Sequence, residues 1–279
     1  MKNSKKIKTK YIVIFAVVFS AILLIAVGEI PRTTYYEIET DEMSADVRLA
    51  LVSDLHACFY GGGAASIIRK IDKDKPDIVL LAGDIFDDRL PEGNAKKFLD
   101  NVSKKYKCFY VTGNHEYWSD DTEEMVKYVK DVGITVLEGD CETIEINGQT
   151  INVCGIDDPD GAFDNTGHDS FDVQLQRVAT MSDNGLYSIL LTHRPELTYK
   201  YKNYSFDLIL AGHAHGGQWR IPGIVEGVYA PNQGFLPEYT AGEYKVGDGT
   251  MIVSRGLARI STPLPRVFNN PEIVMIDLK

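Results

Sequence analysis

Basic charge is scarce in this chain. Its 279 residues hold 29 Lys and Arg against 40 Asp and Glu, a formal net charge of −11. Five lysines crowd the first ten residues, "MKNSKKIKTK", and without them the rest stands at −16. A body that acidic is repelled by phosphate backbones and lacks the basic face of a nucleic-acid binder, so no polymeric nucleic acid is expected as a partner. Repeats are missing too: no period of about 20–50 residues recurs, which excludes a solenoid or propeller array. Low-complexity tracts are absent, and 44% hydrophobic with 25% charged residues is an ordinary globular composition. Neither a cysteine nucleophile nor a Ser-His-Asp spacing is recognisable.

What is present begins with the N-terminus. Behind the lysine cluster, "YIVIFAVVFSAILLIAVG" (11–28) carries no charge. As a helix its 18 residues would extend roughly 27 Å, close to the roughly 30 Å core of a bilayer. A buried core helix would show a polar stripe, and none exists. A cleaved signal peptide competes, since Ala26 and Gly28 are small enough for a peptidase. Signal h-regions stop at about 7–15 residues, which favours an uncleaved anchor. Acids (Glu29, Glu37, Glu39, Asp41, Glu42) follow the run, so the positive-inside rule places the tail in the cytoplasm and the domain outside. The expected organisation is a basic tail (1–10), a transmembrane anchor (11–30), a linker (31–45) and one catalytic domain (46–279).

From residue 46 strand-like and helix-like segments alternate. Helical periodicity marks 66–75, 95–106 and 121–133, while 143–157 alternates with period two around Asn147-Gly148, a strong hairpin signal. Late strand-like runs occupy 250–258 and 272–278. The pattern predicts an α/β fold of two packed mixed β-sheets with helices outside.

Five apolar runs end alike: "DVRLALVSDLH" (46–56), "PDIVLLAGDIFDD" (76–88), "CFYVTGNHEYW" (108–118), "YSILLTHRPE" (187–196) and "FDLILAGHAHGG" (206–217). In open α/β sheets ligands bind beyond the carboxyl ends of the strands. Five loops would thus deliver Asp54, His56, Asp84, Asn114, His115, His193, His213 and His215 to one edge. Of six histidines, only His168 lies elsewhere. Singly, Asp54-x-His56 reads as a turn and helix cap, and Gly83-Asp84 or Gly113-Asn114 as a turn. The five in this order are hard to read that way, and His213 and His215, two apart, point alike on an extended segment. Asp, Asn and neutral His make a mixed oxygen and nitrogen set suited to Mn, Fe or Zn. The flanking glycines would permit close backbone approach.

The series "SDLH", "GDIFD", "GNHE", "TH" and "GHAHGG" resembles the calcineurin-like metallophosphoesterase superfamily. With "AGHAHGGQ", "SRGL" and "NPEIVMIDL" it is similar to the bacterial membrane-anchored branch of predicted phosphohydrolases. The resemblance implies an αββα sandwich and two divalent metal ions. Asp54, His56, His215 and a shared Asp84 would hold one; Asp84, Asn114, His193 and His213 would hold the other. His115 matches the histidine that binds phosphate and protonates the leaving oxygen, and Asp87 an outer acid that steadies a ligand. Two cations about 4 Å apart bind phosphate oxygens, acidify a bridging water and offset charge during in-line displacement. The expected activity is phosphoester hydrolysis outside the membrane, on a small or lipid-linked substrate. The alternatives are a soluble-nucleotide phosphodiesterase and a membrane-anchored metal-binding module without turnover.

A two-residue turn at Asn147-Gly148 pairs Ile146 with Gln149, Ile144 with Ile151 and Cys141 with Cys154. The cysteines then fall at a non-hydrogen-bonded pair, where Cα atoms approach to about 4.5 Å. They share the polar face with Thr143, Glu145, Thr150 and Asn152, so a disulfide is expected, and an extracytoplasmic compartment would permit it. The competing reading is two thiols in a hairpin whose register slips. Cys58 and Cys108 have no such relation.

Overall fold

A computed structural model describes Tyr11, Ile14, Val17 and residues 26–163, 169–259 and 265–279. Along the chain run β1 (Arg32–Ile38), β2 (Val47–Val52), β3 (Ile78–Ala82), β4 (Lys107–Val111) and β5 (Thr135–Val136). They are followed by β6 (Asp140–Ile146), β7 (Gln149–Gly155), β8 (Ser188–Leu191) and β9 (Leu208–Ala211). A short ribbon, β10 (Tyr229–Ala230) and β11 (Gly234–Phe235), precedes β12 (Gly242–Val246), β13 (Gly249–Val253) and β14 (Glu272–Leu278). Two six-stranded mixed sheets result, ordered β1-β14-β2-β3-β4-β5 and β12-β13-β9-β8-β7-β6. The neighbours β2, β3 and β4 are parallel, as are β7, β8 and β9. Their carboxyl ends therefore share an edge within each sheet, which gathers the site.

Alternation within each strand builds three layers of core. Leu49, Leu51, Leu80, Phe109 and Val111 meet Ile151, Val153, Leu191, Leu208 and Leu210 between the sheets. Their neighbours Ala50, Val52, Val79, Leu81 and Tyr110 point the other way, toward Ile67, Ile71, Phe98, Leu99, Met125 and Val129. Those six lie on the helices Ala65–Asp74, Gly93–Ser103 and Thr122–Asp131. On the far side of the second sheet, Cys154, Leu190, Ile209 and Val253 pack under the helix Phe171–Ser182 through Phe171, Leu175 and Val178. Burial on both faces is why β3, β8 and β9 read as unbroken apolar runs. Each such aliphatic side chain contributes roughly 1.5–3 kcal/mol by leaving water.

Three expectations meet the structure here. The 31–45 segment is not a linker throughout, because β1 pairs in parallel with β14 from Arg32↔Glu272 to Ile38↔Leu278. Alternate side chains Tyr36 and Ile38 reach the inter-sheet core, and "TTYYEI" has the β-branched and aromatic content of a strand. The domain therefore starts near residue 32. The hairpin has the expected register, with Cys141 opposite Cys154, and a disulfide joins them with Cα atoms 3.9 Å apart. That face is covered only at the cysteine end: Thr143 and Glu145 stay exposed, while Cys154 is buried and Cys141 half-buried under the helix Phe171–Ser182. Cys58 and Cys108 are buried and form no disulfide. The expected membrane span lies mostly outside the described residues; among those described, no helix is long and apolar enough to cross a membrane.

Candidate metal centre

Donor atoms converge where the two sheets present their carboxyl ends. One group comprises Asp54, His56, Asp84 and His215; a second comprises Asp84, His193 and His213. In each, the donor atoms lie within 4.8 Å of one another, and every member is buried. Asp84 belongs to both: its Oδ2 lies 3.5 Å from His56 Nε2 and 3.1 Å from His193 Nε2. Asp54 Oδ1 stands 3.7 Å from His215 Nε2 and accepts the backbone N–H of His213 at 3.0 Å, tying the sheets together. Asn114 and His115 start not at a strand end but on the first turn of a short helix, Asn114–Trp118. The backbone N–H of His115 donates to Asp84 Oδ1 at 2.9 Å. The sixth histidine, His168, lies outside the described residues.

The backbone is bent to serve this convergence. Asp54, His56, Asp84, His213 and His215 all have φ between 47° and 65°, the left-handed region that costs an L-residue free energy. Glycines relieve crowding around the carboxylates. A Cβ on Gly113 would sit 2.2 Å from Asp84 Oδ1, and one on Gly256, in "SRGL", 2.5 Å from Asp54 Cβ.

Outer contacts fix the imidazoles. His56 Nδ1 lies 3.0 Å from Asp87 Oδ2, and His193 Nδ1 donates to the Ala82 carbonyl at 2.7 Å. Both arrangements leave Nε2 toward the cluster as a lone-pair donor. In His213 the ring is reversed: Nε2 faces Asn232 Oδ1 at 2.9 Å and Nδ1 faces His193 at 3.2 Å. Burial foremost, then Arg194 and His193 for His213 and His56 and Arg266 for His215, holds these two rings neutral, well below the usual histidine range. His193 differs. Burial opposes its charge, but Asp84 and then Asp54 raise it to about 10. Burial also opposes the charge of Asp84, yet His193, His56 and His115 keep it well below the carboxylate range. A bound cation would displace that proton, since a ligating imidazole is neutral at the ligand atom.

The residues fit a pair of divalent ions by a direct observation. His56 Nε2 and Asn114 Oδ1 are buried and make no hydrogen bond, and Asp84 Oδ2 has only the ion pair with His193 beside it. Such orphaned groups cost about 1–3 kcal/mol each unless something else satisfies them. Two carboxylates, one amide oxygen and neutral imidazoles are hard and intermediate donors, the chemistry Mn, Fe or Zn takes.

His115 stands at the mouth, partly exposed, its Nδ1 2.6 Å from Asp88 Oδ1 and its ring edge-on to His56 with centroids 4.4 Å apart. Asp87 supports His56 as expected and accepts the N–H groups of Arg89 and Leu90. Sequence reasoning assigned nothing to Glu116, yet its carboxylate accepts the backbone N–H groups of Asp84, Phe86 and Gly113. It clamps the loop that carries Asp84, and burial together with Asp84 raises it to about 7. Its place in "GNHE" was the available signal. Arg194, paired with Asp158 (2.8 Å), also reaches His213 and Asn232. Asn232 lies in a long loop with no motif to flag it.

Fold and site together suit a metal-dependent hydrolase carried on a two-sheet sandwich. A family model described as calcineurin-like phosphoesterase matches residues 47–217. A metallophosphoesterase of Aquifex aeolicus (strain VF5) is 28% identical over 277 residues, 94% of this chain and 98% of its own length. The metallophosphoesterase YkuE of Bacillus subtilis (strain 168) is 30% identical over 218 residues, 77% of this chain and 72% of that protein. The solved NAD nucleotidase (NadN) of Haemophilus influenzae superposes with a TM-score of 0.54 at 18% identity. The match covers 77% of this chain but only 45% of that one, and at such identity the likeness is one of fold. The chain belongs to the calcineurin-like phosphoesterase family, whose members use two metals, and it is a hydrolase of phosphoester bonds.

Proposed function

We propose that this protein is a membrane-anchored phosphohydrolase whose catalytic domain works outside the membrane on a small or lipid-linked phosphoester. The observation that carries the catalytic part is the convergence of buried, orphaned donors around Asp84. Asp54, His56, Asp84 and His215 would hold one cation, and Asp84, Asn114, His193 and His213 the other. Bound there, such ions would neutralise phosphate oxygens and lower the pKa of a water molecule. The chain's own groups then divide the work. Asp84 supplies the negative charge and second oxygen a shared ligand needs, and Asp87 and the Ala82 carbonyl hold His56 and His193 in the tautomer that donates from Nε2. Asp88 holds Nδ1 of His115, and when the ring carries a proton on each nitrogen its Nε2 would give one to the leaving oxygen as the phosphorus–oxygen bond breaks.

The compartment rests on two features: the lysine tail ahead of an uncharged 18-residue run, and the Cys141–Cys154 disulfide, a bond of oxidising environments. The test of catalysis is p-nitrophenol release from mono- and bis-p-nitrophenyl phosphate with Mn²⁺, in wild type and Asp84→Ala. Activity confined to metal-loaded wild type supports the reading; full rate after exhaustive chelation overturns it. Protease added to intact protoplasts should remove the domain, and a domain protected until lysis would reverse the orientation.

A further inference from the structure

One surface of the domain exposes large apolar side chains that neither the core nor the metal centre uses. It lies in the segment 219–236, "WRIPGIVEGVYAPNQGFL", between the second histidine motif and β12. Phe235 is 81% exposed, Ile224 80% and Leu236 71%, and Trp219, Ile221 and Tyr229 are also exposed. An apolar cleft runs between Trp219, Val228, Tyr229 and Phe235. Scattered exposed apolar residues are ordinary, but this many large ones in one segment mark a contact surface. A loop this long in a compact domain is itself uncommon unless it has a role.

Charge points to what that surface meets. The domain is strongly acidic, yet these 18 residues contain one acid, Glu226, and one base, Arg220, which pair with each other. The loop is a neutral apolar window in a negative surface. Its position points the same way. The backbone at Trp219 bridges Val267, with the Val267 N–H donating to the Gln218 carbonyl and the Arg220 N–H donating to the Val267 carbonyl. The next amide, Phe268, donates in the other direction, to the Ala26 carbonyl at the end of the apolar N-terminal run. Asn270 adds bonds to the carbonyls of Gly28 and Ile30. The root of the apolar loop and the end of the apolar run thus flank one short strip of chain, roughly 10 Å apart at two strand spacings. At the other end, the loop carries Asn232, which contacts His213 in the metal centre.

We infer that the 219–236 loop docks on the lipid bilayer into which the N-terminal run inserts, so that the metal centre faces the headgroup layer. Trp219, Tyr229 and Phe235 are the residue types that settle at that depth. The inference rests on the membrane anchoring proposed above. It differs from that anchoring in naming a second contact, beside the catalytic cleft, that orients the domain.

The test uses the full chain with Trp118→Phe, which leaves Trp219 as sole tryptophan, reconstituted into phosphatidylcholine vesicles with and without brominated acyl chains. Flotation with the vesicles reports the anchor; its failure would overturn the anchoring reading. Quenching of Trp219 reports the loop. Docking predicts a loss of about half or more of the emission in brominated vesicles, as for a ring at the acyl boundary. Adding Ile224→Asp, Phe235→Asp and Leu236→Asp, all at exposed positions, should abolish the quenching while flotation persists. Protein that floats with Trp219 unquenched overturns the docking alone. So does quenching that survives the triple change. If Trp219 is unquenched and the triple change instead abolishes self-association measured by light scattering, the patch meets a second copy and the inference fails.

Discussion

Two neighbouring regions at the carboxyl ends of the strands invert the usual distribution of polarity in opposite directions. The metal centre buries six titratable ligand candidates, Asp54, His56, Asp84, His193, His213 and His215, together with Asn114; Asp54, His56, Asp84 and His193 have no measurable exposure. The 219–236 loop exposes a run of aromatic and aliphatic side chains a few residues away. Each inversion costs free energy, one by desolvation and backbone strain, the other by apolar hydration. Each is intelligible if the missing partner is supplied from outside the chain: cations for the first, an apolar phase for the second. A buried polar group or an exposed apolar patch is the informative exception to the rule that apolar residues lie inside.

The largest effects should come from breaking the buried side. Asp84→Ala removes the carboxylate common to both donor groups, so turnover should fall below detection and metal content should drop, read by elemental analysis of the purified chain. Undiminished turnover with full metal content would remove Asp84 from the ligand set. His115→Ala should keep its metal and lose about 10²–10⁴-fold in rate, with the loss shrinking for good leaving groups that need no proton. Loss of metal in that variant would make His115 a ligand instead. Asp87→Ala frees Nδ1 of His56 and should weaken metal affinity about 10–100-fold, measured by competition with a chelating dye; unchanged affinity would show that Asp87 does not orient the ring. Away from the site, Cys141→Ala with Cys154→Ala should cost about 2–3 kcal/mol of stability in urea unfolding and leave the metal-dependent rate unchanged. A large loss of rate in the folded variant would mean that the hairpin and the centre are coupled.

Motifs and periodicity were legible because they repeat a physical rule. Strands β2, β3, β4, β8 and β9 are buried on both faces, so each appears as an apolar run whose end stands out when Asp or His follows. The hairpin register followed from Asn147-Gly148, since a two-residue turn leaves one pairing. The edge strand β1 was hidden by the charged residues around it and by a partner, β14, far along the chain. The helix Phe171–Ser182 went unread because its interspersed polar residues weaken the stripe that Phe171, Leu175 and Val178 form on the sheet. The supports of the site, Glu116 on three backbone amides and Asn232 on His213, depend on loop geometry that no local spacing encodes. The apolar loop could not be weighed from sequence, because exposure alone separates it from core.

On the proposed reading, this buried cluster holds metal and hydrolyses phosphoesters with it. The most direct measurement takes one purified sample of the full chain and follows metal content and p-nitrophenol release together during chelation and readdition of Mn²⁺. Two ions per chain are expected at full activity, with loss of activity as they leave and recovery on their return. Hydrolysis that persists in metal-free protein, or full metal loading without hydrolysis of either p-nitrophenyl substrate, would contradict it.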